Sequence, residues 1–218
     1  MRSSQRILCY FGLLAPIWMM VSVNYSGMIY PGYSHIDQAM SELHALGSPI
    51  EKIAPFINHY PLSILFGGFG FFVMSYFTSR TAKISGLLIL LHGVATFSAG
   101  YFPCDVGCDP ESTSFSQVLH GVSGLIILLT LLIAPAIWVL ISKRELQVVW
   151  FSWLSAIAVL GQLLIMIPMV DAMTTGRNIG LYQRLAYSLP LAWLFLFGLI
   201  LLCDDRTTRF PRQSEQKG

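Results

Sequence analysis

The sequence predicts an all-α, polytopic membrane protein of six transmembrane helices, and three observations carry the prediction. Of 218 residues, 55% are hydrophobic and only 11% charged, with a mean hydropathy of +0.64; soluble domains carry roughly 25% charged residues. Six apolar runs approach the length of about 20 residues that crosses a bilayer. Lysine and arginine also collect on alternate connections between those runs, as in multi-pass proteins.

The runs lie near 7–30, 57–78, 84–102, 115–141, 148–170 and 182–203. They make one membrane domain over 1–205, followed by a polar tail over 206–218. The first run is too long for a secretory signal, and no small-residue cleavage site follows Asn24-Tyr25, so it reads as a retained span.

Orientation follows from basic residues. Arg2, Arg6, Arg80, Lys83, Lys143, Arg144, Arg206, Arg209, Arg212 and Lys217 are ten of the thirteen, and all fall at the termini or the short turns. Lys52, Arg177 and Arg184 alone fall on the other side. The bias places both termini in the cytoplasm and turns the longer connections, near 31–56, 103–114 and 171–181, outward. The expected location is the cell (inner) membrane, with the periplasm outside if the cell is bacterial. The net charge of +2 includes no basic tract that would follow a phosphate backbone. Nucleic acid is therefore excluded as a partner, membrane lipids are expected, and no protein partner is indicated.

In the first outward loop, Ser34 and Asp37 have the spacing of a capping box, and Gly47 and Pro49 supply a stop. Ile36, Ala39, Met40, Leu43 and Leu46 share a face at helical spacing. A short amphipathic surface helix near 35–46 is expected. Gly67, Gly68 and Gly70 in the second span, and Gly121 and Gly124 in the fourth, would allow close helix approach. Pro16, Pro135, Pro168 and Pro190 fall inside spans and predict kinks.

Polar chemistry gathers on the outward side. Asp37, Glu42, Glu51, Asp105, Asp109, Glu111 and Asp171 lie there, and His35, His44, His59 and His120 lie at or near it. Cys104 and Cys108 are four apart in the second outward loop. They read as a disulfide clamping the turn in an oxidising compartment, as free thiols, or as part of a metal site, though zinc sites use fuller ligand sets. Asp105 and His120 stand on antiparallel neighbours and could pair, which would set a general base. The plainer reading has Asp105 capping a loop and His120 bonding a backbone carbonyl. His92 lies deeper, as an interhelical hydrogen-bond residue. Paired with His120 as haem ligand it would sit about 7 Å too deep. No cofactor is expected, neither metal nor haem.

Asp37, Ser41 and His44 align on the expected loop helix, but a triad needs histidine in the middle, and here serine holds that place. Ser41 would have to take a base from another span, with His59 and His120 available. Arg184 either snorkels to headgroups or points inward to Glu42, Asp105 or an anionic headgroup.

Ser34-His35, Ser41-Glu42-Leu43 before Pro49, Phe102-Pro103-Cys104-Asp105, Leu119-His120 and Gln183-Arg184-Leu185 together resemble the prokaryotic integral-membrane family called "domain of unknown function 998". The resemblance covers nearly the whole chain. His44 stands where that pattern has glycine, which counts against it as a functional residue, and Cys108 is outside the pattern. The resemblance implies no activity.

The expected function is a polar site at the outward membrane face that binds or hydrolyses a lipid or amphiphile. Asp105, His120, Ser41 and Glu42 are its candidate catalytic residues, and His35, Gln183 and Arg184 its candidate substrate contacts. If the protein is an enzyme, it is a membrane-embedded hydrolase. The alternative is a non-enzymatic membrane protein: a small transporter, a sensor or a partner-binding scaffold.

Overall fold

The computed structural model describes residues 3–109 and 111–203; the expected tail over 206–218 lies outside them. Six helices are long and apolar enough to cross a membrane, and the described residues contain no strand. The first is α1 (Ser3–Ile29). The second span runs over Ala54–Tyr76, as a single turn α2 (Ala54–Ile57) followed by α3 (His59–Tyr76). The others are α4 (Arg80–Tyr101), α5 (Phe115–Glu145), α6 (Trp150–Thr175) and α7 (Ile179–Cys203). The observed spans match the expected ones closely, and Pro16, Pro135, Pro168 and Pro190 all fall inside helices.

From α3 onward each long helix packs on the next, and α1 packs on both α3 and α7, which closes the six into a ring. One end of the ring carries the short turns 77–79 and 146–149; the other carries the three longer connections. We call these the turn end and the loop end.

The half nearer the turn end is filled by aromatic rings. Phe66, Phe69, Phe72, Phe77, Trp138, Phe151, Trp193 and Phe197 are all fully buried. Lipid competes equally well for apolar side chains, so shape and buried hydrogen bonds hold such a core together. Trp138 Nε1–H donates to Ser85 Oγ at 2.8 Å, joining α5 to α4. Trp193 Nε1–H donates to Ser155 Oγ at 2.9 Å, joining α7 to α6. The α3–α4 contact is the tightest because Gly70 faces Gly86: a Cβ on Gly70 would lie 2.7 Å from the Gly86 carbonyl. Gly121 and Gly124 do no such packing, since a Cβ on either meets nothing within 4 Å.

The first long connection folds over the loop end. It contains the expected short helix, but as a 3-10 helix confined to Met40–His44. Ser34 caps only one turn, with Asp37 N–H donating to Ser34 Oγ and Gln38 N–H to the Ser34 carbonyl. The Glu42 carboxylate then accepts from Ala39 N–H at 2.7 Å and starts the 3-10 segment. Leu43 and His44 point inward and are completely buried, so the segment plugs the bundle instead of lying flat on the membrane surface.

Candidate functional site

With the aromatic rings filling the turn-end half, the loop-end half holds a partly open cavity of about 140 Å³. Four histidines line it: His44 from the 3-10 helix, His59 from the start of α3, His92 from α4 and His120 from α5. The His44 ring lies 4.1 Å from His59 and 5.3 Å from His120, centroid to centroid. His92 sits deeper, 4.3 Å from the Phe66 ring. Ser41, Asn58, Thr96, Gln183 and Tyr187 complete the polar lining.

Two prolines explain how the local backbone serves this cavity. Proline has no N–H, so the carbonyl four residues before it in a helix lacks its usual partner. Pro103 thereby leaves the Ala99 carbonyl open. His44 Nε2 takes it at 3.1 Å and His120 Nδ1 at 3.2 Å. His120 Nδ1 also lies 2.9 Å from the Phe102 carbonyl. Pro61 similarly leaves the Ile57 carbonyl open, and Trp18 Nε1–H of α1 donates to it at 2.8 Å. His59 follows that break directly. Gly100 makes room for it, since a Cβ there would lie 2.8 Å from His59 Cγ.

His44 lies outside the spans, and burial, then the neighbouring His120, push its pKa down to about 3, against a smaller opposing effect of the Ala99 hydrogen bond. Among the described residues, no Lys, Arg, Asp or Glu lines the cavity. Among the described residues no group of three or more His, Cys, Asp or Glu is arranged to hold a metal ion.

The expected site residues therefore divide. Ser41, His120 and Gln183 line the cavity. Asp105 does not join His120: its carboxylate accepts from the hydroxyls of Ser112 and Ser114, and its backbone N–H donates to Gln117 Oε1. Those hydroxyls, Ser112 first, hold its pKa below the usual carboxylate range. Asp105 thus organises its own loop, and His120 bonds backbone carbonyls, the plainer of the two readings. Glu42 is occupied by Ala39 N–H and by Gln38 Nε2–H, 3.0 Å away.

Arg184 reaches neither Glu42 nor Asp105. It donates to the carbonyls of His35 (2.7 Å), Gln38 and Gly180, to Tyr33 Oη (2.8 Å) and to His35 Nδ1 (3.0 Å). The guanidinium is spent tying the first long loop to α7. Burial first, then that guanidinium, lower the His35 pKa. Gln183 does similar work, its Oε1 accepting from Met40 N–H at 2.6 Å. Cys104 and Cys108 are disulfide-bonded, with Cα atoms 5.0 Å apart, and the Cys104 carbonyl accepts from Leu46 N–H at 2.9 Å. His92 is an interhelical residue, its Nδ1 lying 3.2 Å from the α5 carbonyl of Ile127 and 3.2 Å from Thr130 Oγ1.

Sequence reasoning undervalued His44 and His59. The collection of histidines towards one membrane face was a visible signal, but their convergence depends on carbonyls freed by Pro103 and space left by Gly100.

A second cavity adjoins the first. It is a mostly apolar groove of about 330 Å³ on the outer surface of the bundle between α1 and α7, lined by Pro16, Met20, Ser188, Leu191 and Ala192 among others. Met19, Val23, Met40 and Tyr187 line both groove and histidine chamber.

Fold and site together define a multi-pass α-helical membrane protein with a histidine-lined chamber at its loop end, beside a groove on its lateral surface. The chain belongs to the family described as "Protein of unknown function (DUF998)", which matches it over residues 13–200. No curated protein and no solved structure matches it.

Proposed function

We propose that the protein binds a lipid or other amphiphile, with the polar end in the four-histidine chamber and the apolar chain along the α1–α7 groove. The observation that carries this reading is the shared wall of Met19, Val23, Met40 and Tyr187. The groove is formed by two spans, so the medium outside it is the bilayer, and an acyl chain is the occupant at hand. The basic-residue bias supports an outward-facing site.

Lipid extraction from the detergent-purified protein, read by mass spectrometry, is the test. Ala192→Trp fills the exposed groove and should lower bound lipid about tenfold at unchanged thermal stability. Equal lipid content in the two proteins would sink the proposal.

Hydrolysis is a second reading, favoured by one observation: Ser41 lines the same chamber as His59 and His120. In that reading a histidine takes the Ser41 proton as the hydroxyl attacks an ester carbonyl. Ser41→Ala and His120→Ala should then each abolish turnover of an ester-lipid panel. Lipid retained without turnover by the unaltered protein supports the non-enzymatic alternative.

A further inference from the structure

We infer that the chamber selects a neutral, hydroxyl-bearing amphiphile over an anionic one. The inference rests on the lipid-binding reading and names the chemistry of the polar end.

A neutral imidazole has one N–H, and the nitrogen that is not a donor carries a lone pair. A backbone carbonyl can only accept, so each ring nitrogen that contacts one is the donor. His44 uses its proton at Nε2 on the Ala99 carbonyl, so its Nδ1 is an acceptor. That Nδ1 is buried and has no partner. His120 uses its proton at Nδ1 on the Ala99 and Phe102 carbonyls, which leaves Nε2 as acceptor. His92 uses its proton at Nδ1 on the Ile127 carbonyl, which again leaves Nε2.

Asn58 repeats the pattern. Its Nδ2 donates to Ser26 Oγ at 3.1 Å, while its Oδ1 is buried without a partner. His59 Nδ1 is a further buried nitrogen with no partner. His44 is fully buried and Asn58 is 4% exposed, so their unpartnered atoms are shut off from bulk solvent, in residues that form the chamber wall.

A buried acceptor without a donor is costly, and these residues concentrate that cost in one place. A ligand that donates recovers it. A hydroxyl group donates one hydrogen bond and accepts from the remaining donors, the hydroxyls of Ser41 and Tyr187 and the amide of Gln183. A carboxylate or a fully ionised phosphate can only accept. It would face lone pairs in a chamber with no lysine or arginine, and losing its hydration there would go uncompensated. A free cation is disfavoured too, because no carboxylate lines the chamber.

The test measures binding of three short-chain probes to the purified protein in detergent at about pH 9, where the phosphate is fully ionised: dioctanoylglycerol, its O-methyl ether and dioctanoyl phosphatidic acid. The alcohol should bind at least about tenfold more tightly than the ether, a loss of about 1.4 kcal/mol for one missing donor. It should exceed phosphatidic acid by as much or more. His44→Phe removes one unpartnered acceptor and should narrow the alcohol–ether gap several-fold. Should thermal melting show that His44→Phe has lost its fold, Asn58→Leu removes another acceptor and is read in the same way. Phosphatidic acid binding as well as the alcohol, an ether as good as the alcohol, or an unchanged gap in the folded variant overturns the inference while lipid binding stands. Failure of all three probes to bind overturns the lipid-binding reading itself.

Discussion

At the scale of single residues, His44 couples the loop to the chamber, and its protonation should be visible in stability. Its folded-state pKa is lowered to about 3, chiefly by burial, from the ordinary 6.5. Between those values the unfolded chain binds the proton and the folded chain does not, so stability rises with pH across that window. It should be complete above about pH 6.5 and decline as pH falls towards 3, with a limiting slope of about 1.4 kcal/mol per pH unit for one group. The rings of His59 and His120 and the Ala99 carbonyl face this imidazole, and none of them offers it a negative charge. Thermal melting in detergent from pH 8 to pH 4 checks the slope, and His44→Leu should flatten it. Arg184 supports a different expectation. Arg184→Ala abandons the carbonyls of His35 and Gln38 and should destabilise the first loop by about 2 kcal/mol, read as faster hydrogen exchange over 33–44. Asp105→Asn disturbs only the serine-capped hairpin and should leave lipid content unchanged.

At the scale of elements, span packing is set by small-residue faces. Gly70→Leu would drive a side chain into the Gly86 carbonyl and the backbone of Leu90, separating α3 from α4. The expected result is loss of folded protein, seen as aggregation in size-exclusion chromatography, whereas Gly121→Ala meets open space and should be tolerated. The spans were legible in the sequence because a bilayer demands length and apolar composition, both local properties. The loop helix was only partly legible. Its apolar spacing is real, but backbone groups that a helix over 35–46 would use are engaged elsewhere. The carbonyls of His35 and Gln38 go to Arg184, and Met40 N–H goes to Gln183. Those partners lie more than 140 residues away, beyond the reach of any periodicity. The site was legible to the same degree. Ser41, His120 and Gln183 do meet at the loop end, while of the two readings open for Asp105 the plainer one holds, because nearby serine hydroxyls are better placed partners than a buried imidazole.

At the scale of the whole molecule, six spans require that α1 begin and α7 end on the same side of the membrane. The chamber, the disulfide hairpin and the Arg184-tied loop all lie at the opposite end. The chain carries its own reporter of which side is which. Cys203 closes α7 at the turn end and is exposed, Cys9 is buried, and Cys104 and Cys108 are bonded to each other. Cys203 is therefore the thiol open to a maleimide in the folded protein. Ten of the thirteen basic residues flank that end or the tail beyond it, so it should face the cytoplasm. In intact cells a membrane-impermeant maleimide should leave the protein unlabelled, and permeabilisation should expose one reactive thiol, abolished by Cys203→Ser. Prior reduction of intact cells should make the half-buried Cys108 reactive from outside without permeabilisation, while Cys104 is fully buried. Labelling of Cys203 in untreated intact cells would invert the topology and open the histidine chamber to the cytoplasm, with lipids drawn from the inner leaflet.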